Sequence, residues 1–217
     1  MLSSLKCFLV LFVLAVCFAI SAPMVYAIEI EVPPNTIVLE AEAGEMDAGV
    51  EIIEHDEASE GKAIDSQVDA LTTHEIMLPE DGDWYIWVRL WCPDGSKDSY
   101  WFGMDNAVAV PDDGGQIKIY SAVGDSVNTN DQPFNIWFWD FGTSNDAAHS
   151  YFDVDDPGTQ NFWSKGRELG TLLDQILLTK DADFDAEEAS QGDPITINEA
   201  VYPGGKLAVT WGKIKGF

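Results

Sequence analysis

The sequence predicts an all-β sandwich, on three observations. Stretches suited to strands recur at short spacing, Gly, Asp, Asn and Pro separate them, and no amphipathic run is long enough for a secure helix. This pattern differs from the alternating strands and helices of a parallel-sheet enzyme. Strands are expected at 36–42, 50–54, 74–78, 83–91, 99–104, 116–121, 135–141 and 171–179. No internal repeat is evident.

The first segment is expected to be a processing signal. Lys6 precedes an unbroken apolar run from Cys7 to Ile20, and Val25-Tyr26-Ala27 fits the small-x-small rule, which places cleavage after Ala27. The run is short for a membrane span of about 20 residues. The expectation is therefore a secreted, extracellular or cell-surface protein with no membrane insertion after signal removal, an uncleaved anchor being the alternative. Removing 27 of 217 residues leaves 190, enough for one domain with a real core, after a lead-in over 28–35. Losing Lys6 leaves ten basic against 38 acidic residues, a net charge of −28. Such a chain is a poor partner for nucleic acid or an anionic membrane, both of which need clustered Lys and Arg. It also repels polyanions, so a neutral ligand is expected more readily than a sulfated or uronic one. Cys7 and Cys17 leave with the signal, so Cys92 has no intramolecular disulfide partner and is expected to be a packed thiol.

Side chains alternate along a strand. In 83–91, Trp84, Ile86, Val88 and Leu90 share one face, which suits a core, while Tyr85, Trp87, Arg89 and Trp91 share the other. Flat rings beside a planar cation form a surface on which sugar rings stack. Two other readings stay open: a strand buried on both sides, or a Trp row covered by a loop. If Tyr100, Phe102 and Met104 point inward, Trp101 faces out. Trp137 and Trp139 share one side of 135–141, with Ile136 and Phe138 opposite. A register error of one residue would exchange the two sides.

Residues 108–130 read as long Gly-, Asp- and Asn-rich loops around one strand. Residues 182–217 read as an acidic linker followed by a basic and aromatic tail that docks on the acidic domain or serves as a sorting or attachment segment. The three histidines share no metal-ligand spacing, and neither a Ser/His/Asp set nor a Gly-rich phosphate loop is present. Paired carboxylates for glycoside hydrolysis decide nothing among 38 acids, some of which always lie about 5–9.5 Å apart.

Four motifs together carry a resemblance. Val38-Leu39-Glu40-Ala41-Glu42-Ala43 opens the domain, and Gly82-Asp83-Trp84-Tyr85-Ile86-Trp87-Val88-Arg89 follows. Asp98-Ser99-Tyr100-Trp101-Phe102-Gly103 comes next, and Gly170-Thr171-Leu172-Leu173-Asp174-Gln175-Ile176-Leu177-Leu178-Thr179 closes the series. In order and spacing they resemble non-catalytic carbohydrate-binding modules of the family 6 and family 35 type. The resemblance implies a jelly-roll sandwich of two antiparallel sheets over 36–181, akin to galactose-binding domains. It also implies a structural calcium held by Glu40, Glu42 and Asp174, although the two glutamates also fit a solvated acidic face. Such modules bind sugar at the loop-lined edge or on a sheet face. Leu172 and Leu173 stand beside Asp174 where the edge site often has Asn, so the sheet face is favoured. The expected carbohydrate-binding residues are Trp87, Arg89, Trp91, Trp101, Trp137 and Trp139, and the expected partner is a polysaccharide or other glycan. The alternative function is an extracellular protein-interaction domain on the same fold.

Overall fold

The computed structural model describes residues 30, 32–120, 134–141 and 149–196. In chain order the strands are β1 (Ile37–Glu40), β2 (Glu45–Met46), β3 (Val50–Glu54), β4 (Lys62–Ser66), β5 (Leu71–Leu78), β6 (Gly82–Trp91) and β7 (Ser99–Met104). Then come β8 (Ala107–Val110), β9 (Ile117–Tyr120), β10 (Trp137–Asp140), β11 (Tyr151–Val154), β12 (Gly158–Gly166) and β13 (Leu172–Thr179), followed by one short helix, α1 (Ala186–Ser190).

Two antiparallel sheets result. The larger has the order β3-β4-β13-β6-β11-β8, with β1 beside β13 and β10 beside β6. The smaller has the order β2-β5-β12-β7-β9. From β5 through β10 every strand lies in the sheet opposite to its predecessor, so the sandwich is a jelly roll, as the sequence predicts. The ten-residue β6 is the backbone of the larger sheet. One of its edges carries β13, and the other is shared by β11 and β10.

The alternation of β6 is as expected. Trp84, Ile86, Val88 and Leu90 lie in the core between the sheets, where they meet Tyr100, Phe102 and Met104 of β7 and Phe162 of β12. Cys92 is buried in the same cluster. Near the start of β13 the register shifts between Leu173 and Gln175. A bulge of this kind places one extra residue against the partner strand. Here it brings both Asp174 and Gln175 to the outer face of β13, while Leu173 and Ile176 stay in the core.

The sequence reading missed β2, β4, β8, β11 and β12. Most are short or polar, and β12 alternates Gln160, Phe162 and Ser164 inward with Asn161, Trp163 and Lys165 outward, a pattern with only two large apolar residues. The boundary expected at 181 also needs correction. Residues 182–196 are no linker: Ala186, Ser190 and Ile195 are fully buried, and Phe184 packs on the larger sheet. The expected signal and the basic tail lie outside the described residues. Among those residues no helix is long and apolar enough to cross a membrane.

Candidate functional site

The outer face of the larger sheet carries most of the residues expected to bind sugar. Trp91 and Trp137 pair directly across β6 and β10, as do Arg89 and Trp139. The structure brings these side chains together and then covers them. Trp87 and Trp139 form a closed cluster with Leu177, Ala186 and Ile195, bordered by Ile30, Val32 and Phe141. The covering segment is held by polar contacts as well. The Trp139 backbone N–H donates to the Glu187 carboxylate at 2.7 Å, and its indole N–H donates to the Asp193 carbonyl at 3.0 Å. Gln175 accepts from the Ile195 N–H at 2.9 Å and donates to its carbonyl at 3.1 Å. Four of the six expected surface residues, Trp87, Arg89, Trp137 and Trp139, are therefore buried. This corrects the expectation of exposure.

Every nitrogen of the Arg89 guanidinium donates to a protein acceptor. Its Nε donates to the Gly192 carbonyl at 2.7 Å, its terminal nitrogens donate to the Glu57 carbonyl, and Nη1 pairs with the Asp174 carboxylate. The guanidinium also lies 4.9 Å from the centre of the Trp137 ring. It is a structural staple between β6, the β3–β4 loop and the covering segment. Trp91 stays partly exposed, with the His55 ring 5.9 Å away.

The carboxylates expected to hold calcium divide in two. Burial pushes the Asp174 carboxyl upward and Arg89 opposes that shift; the Ser59 N–H adds a bond of 2.9 Å. Both Asp174 oxygens are thus engaged within the protein. Glu40 Oε1 accepts from Gln175 at 2.8 Å and from the Ser59 hydroxyl at 3.1 Å, but Glu40 Oε2 and Glu42 Oε2 are buried without a partner. Burial, reinforced by the charges of Asp174 and Glu42, raises the Glu40 carboxyl to about 7. Orphaned hard oxygens of this kind suit calcium chemistry. The full set is not assembled, however: among the described residues no group of three or more carboxylate, imidazole or thiol side chains is placed to hold a metal.

Among the described residues, no segment covers the outer face of the smaller sheet as 182–196 covers that of the larger. Trp101 points outward there, as expected, but on the sheet opposite to Trp87 and Arg89, so the two sets cannot form one surface. In register, Trp101 faces Lys165 on β12 and Lys118 on β9, and Gly103 faces Trp163. Trp101 and Trp163 are both partly exposed. Gly103 makes their arrangement possible. A Cβ there would lie 1.9 Å from the Trp163 ring, so only a residue without a side chain lets that indole lie flat against the sheet. Lys118 Nζ lies 4.9 Å from the Trp101 ring centre, and Lys165 Nζ lies 5.8 Å from the centres of both rings. The next residues along the face are polar: Thr73 beside Trp163, then Glu75 beside Asn161. Gly103, Lys118 and Lys165 were missed from the sequence, and Trp163, expected in a loop near either sugar site, stands instead on β12. The out-facing alternation of Asn161, Trp163 and Lys165 was the available signal.

No family model and no curated protein matches the sequence. Among solved structures, the chain is similar to the carbohydrate-binding module CBM6cm-2 of Cellvibrio mixtus lichenase 5A, solved with cellotriose. Identity is 16%, over 67% of this chain and 97% of that one, with a TM-score of 0.46. A family 35 carbohydrate-binding module from Clostridium thermocellum aligns at 7% identity over 67% of this chain and 98% of that one, with a TM-score of 0.47. An exo-β-1,3-galactanase from Phanerochaete chrysosporium, solved with galactose, aligns at 12% identity over 68% of this chain, with a TM-score of 0.49. The alignment spans 30% of that enzyme's chain.

Proposed function

We propose that this chain is an exported, non-catalytic carbohydrate-binding domain whose recognition surface is the outer face of the smaller sheet, with Trp101 and Trp163 as its platform. The observation that carries this reading is the indole of Trp163 laid flat over Gly103, diagonal to the out-facing Trp101. Large flat rings stack on the apolar faces of pyranose rings and contribute much of their binding through burial. The motifs that resemble family 6 and family 35 modules support the same reading.

Isothermal titration against a panel of soluble neutral and acidic polysaccharides tests it. Trp101→Ala and Trp163→Ala should each weaken binding of a retained glycan by about thirty-fold, the equivalent of roughly 2 kcal/mol at a central aromatic contact. Gly103→Ala should weaken it comparably, because it lifts the Trp163 ring without removing it. Full affinity in all three variants would remove the site.

Calcium enters the proposal in reduced form, held by Glu40 and Glu42 with backbone oxygens, and with Asp174 only if it leaves Arg89. The expected signature is a pH dependence. The Glu40 carboxyl is raised from about 4.5 to about 7, so the folded state keeps a proton that the unfolded chain releases. That contribution to stability is complete below the lower value and is lost as pH rises through the upper one. With chelator present, the Tm contribution of this group should fall between about pH 5 and about pH 8, and Glu40→Gln should flatten the profile. Calcium at the higher pH should then raise the Tm of the parent chain but not of Glu40→Gln. Identical melting with calcium and with chelator would eliminate the metal.

A further inference from the structure

We infer that the platform on the smaller sheet selects an anionic saccharide, one carrying a carboxylate or a sulfate, against the chain's overall charge. This rests on the assignment of the platform to sugar binding and adds the class of sugar. The net charge of −27 favours neutral ligands globally, but two lysines stand at Trp101. Lys118 and Lys165 flank that ring in one row across three strands, and Lys165 Nζ is equidistant from both ring centres. The lysine side chains are each 22% exposed. Their ammonium groups lie over the indole rings, a cation–π arrangement in which each head stays within reach of solvent.

Each lysine also faces an exposed carboxylate. Lys118 is 3.9 Å from Asp113, and Lys165 is 3.7 Å from Asp69, and those carboxylates are 62% and 78% exposed. Exposed pairs of this kind contribute little, so a sugar acid group can replace either aspartate. The other end of the same face is acidic. Glu75 stands beside Asn161, whose amide donates to Asp105 at 2.9 Å. A charged sugar is therefore oriented, with its ring on Trp101 and Trp163 and its acid group toward the lysines.

The test uses matched pairs that differ only in charge: polygalacturonate with its methyl ester, and dextran sulfate with dextran. Each is titrated into the full chain, into Trp101→Ala and into Lys118→Gln/Lys165→Gln. One acidic polymer should bind, and the double lysine variant should weaken it by about ten-fold or more, as should raising salt from roughly 50 to 500 mM. Which acidic polymer responds separates carboxylate from sulfate recognition. Three results overturn the inference: a neutral member bound as tightly as its acidic partner, acidic binding indifferent to the lysine change, or no binding of either acidic polymer. Trp101-dependent binding of neutral glycans would then leave the platform standing without its charge preference. Acidic binding that survives Trp101→Ala would instead overturn the platform itself.

Discussion

Truncation after Asp181 should destroy the fold. The removed residues look dispensable in sequence, since they read as an acidic linker followed by a basic and aromatic tail. Their removal would nevertheless uncover Trp87, Trp139 and Leu177 on the larger sheet and delete buried Ala186 and Ile195. Each large side chain returned to water costs about 1.5–3 kcal/mol. The same cut strands the Trp139 N–H and indole N–H, Arg89 Nε and the Gln175 amide oxygen. The summed loss is comparable with the roughly 5–15 kcal/mol by which a domain is stable at all. Expression of 1–181 should give aggregated or unfolded material by circular dichroism. A milder probe, Ile195→Ala, should lower stability by about 2–4 kcal/mol in urea denaturation. A soluble 1–181 fragment with parental Tm would show that the covering segment is not part of the domain.

The Arg89–Asp174 pair should give the largest effect of any single contact. Both side chains are almost completely buried, at 2% and 0% exposure. Breaking such a pair leaves an uncompensated charge and costs about 3–5 kcal/mol. Asp174→Ala should fall in that range. Arg89→Met should exceed it, because it also frees the Gly192 and Glu57 carbonyls. The double variant should cost clearly less than the two single costs combined, since the members of a coupled pair are not additive. This cycle also bears on calcium. If Asp174 serves only Arg89, its removal lowers the Tm equally with calcium and with chelator. A loss seen only in calcium would assign Asp174 to the metal instead.

The core was legible in the sequence where the residues themselves encode it. Strict alternation in β6 and β7 placed Trp84, Ile86, Val88, Leu90, Tyr100, Phe102 and Met104 inside, and they are inside. What covers the other face of β6 was not legible. The cover has no periodic apolar stripe, and it works through a few anchors, Phe184, Ala186 and Ile195, with the Glu187 carboxylate and the Asp193 carbonyl accepting from Trp139. Its acids read as solvated, yet Glu187 faces inward to a backbone N–H. The reading of a Trp row covered by a loop, left open at the outset, describes Trp87 and Trp139. Sheet membership was hidden as well. Trp101 faces out as its alternation demands, but alternation says nothing about which sheet a strand joins, so Trp101 and Trp87 were grouped across a sandwich that separates them. The platform depends on a pairing between Gly103 and Trp163 that exists only in register, and no local pattern reports register between distant strands.

The measurement that bears most directly on the account is protection of tryptophan from oxidation by N-bromosuccinimide, read by peptide mass spectrometry with and without a retained glycan. Trp84, Trp87 and Trp139 are fully buried or nearly so and should resist in both states, whereas Trp91, Trp101 and Trp163 should react in the free protein. Glycan should protect Trp101 and Trp163 together and leave Trp91 reactive. Protection of Trp91 with Trp101 and Trp163 still open would contradict the account and return the binding surface to the larger sheet.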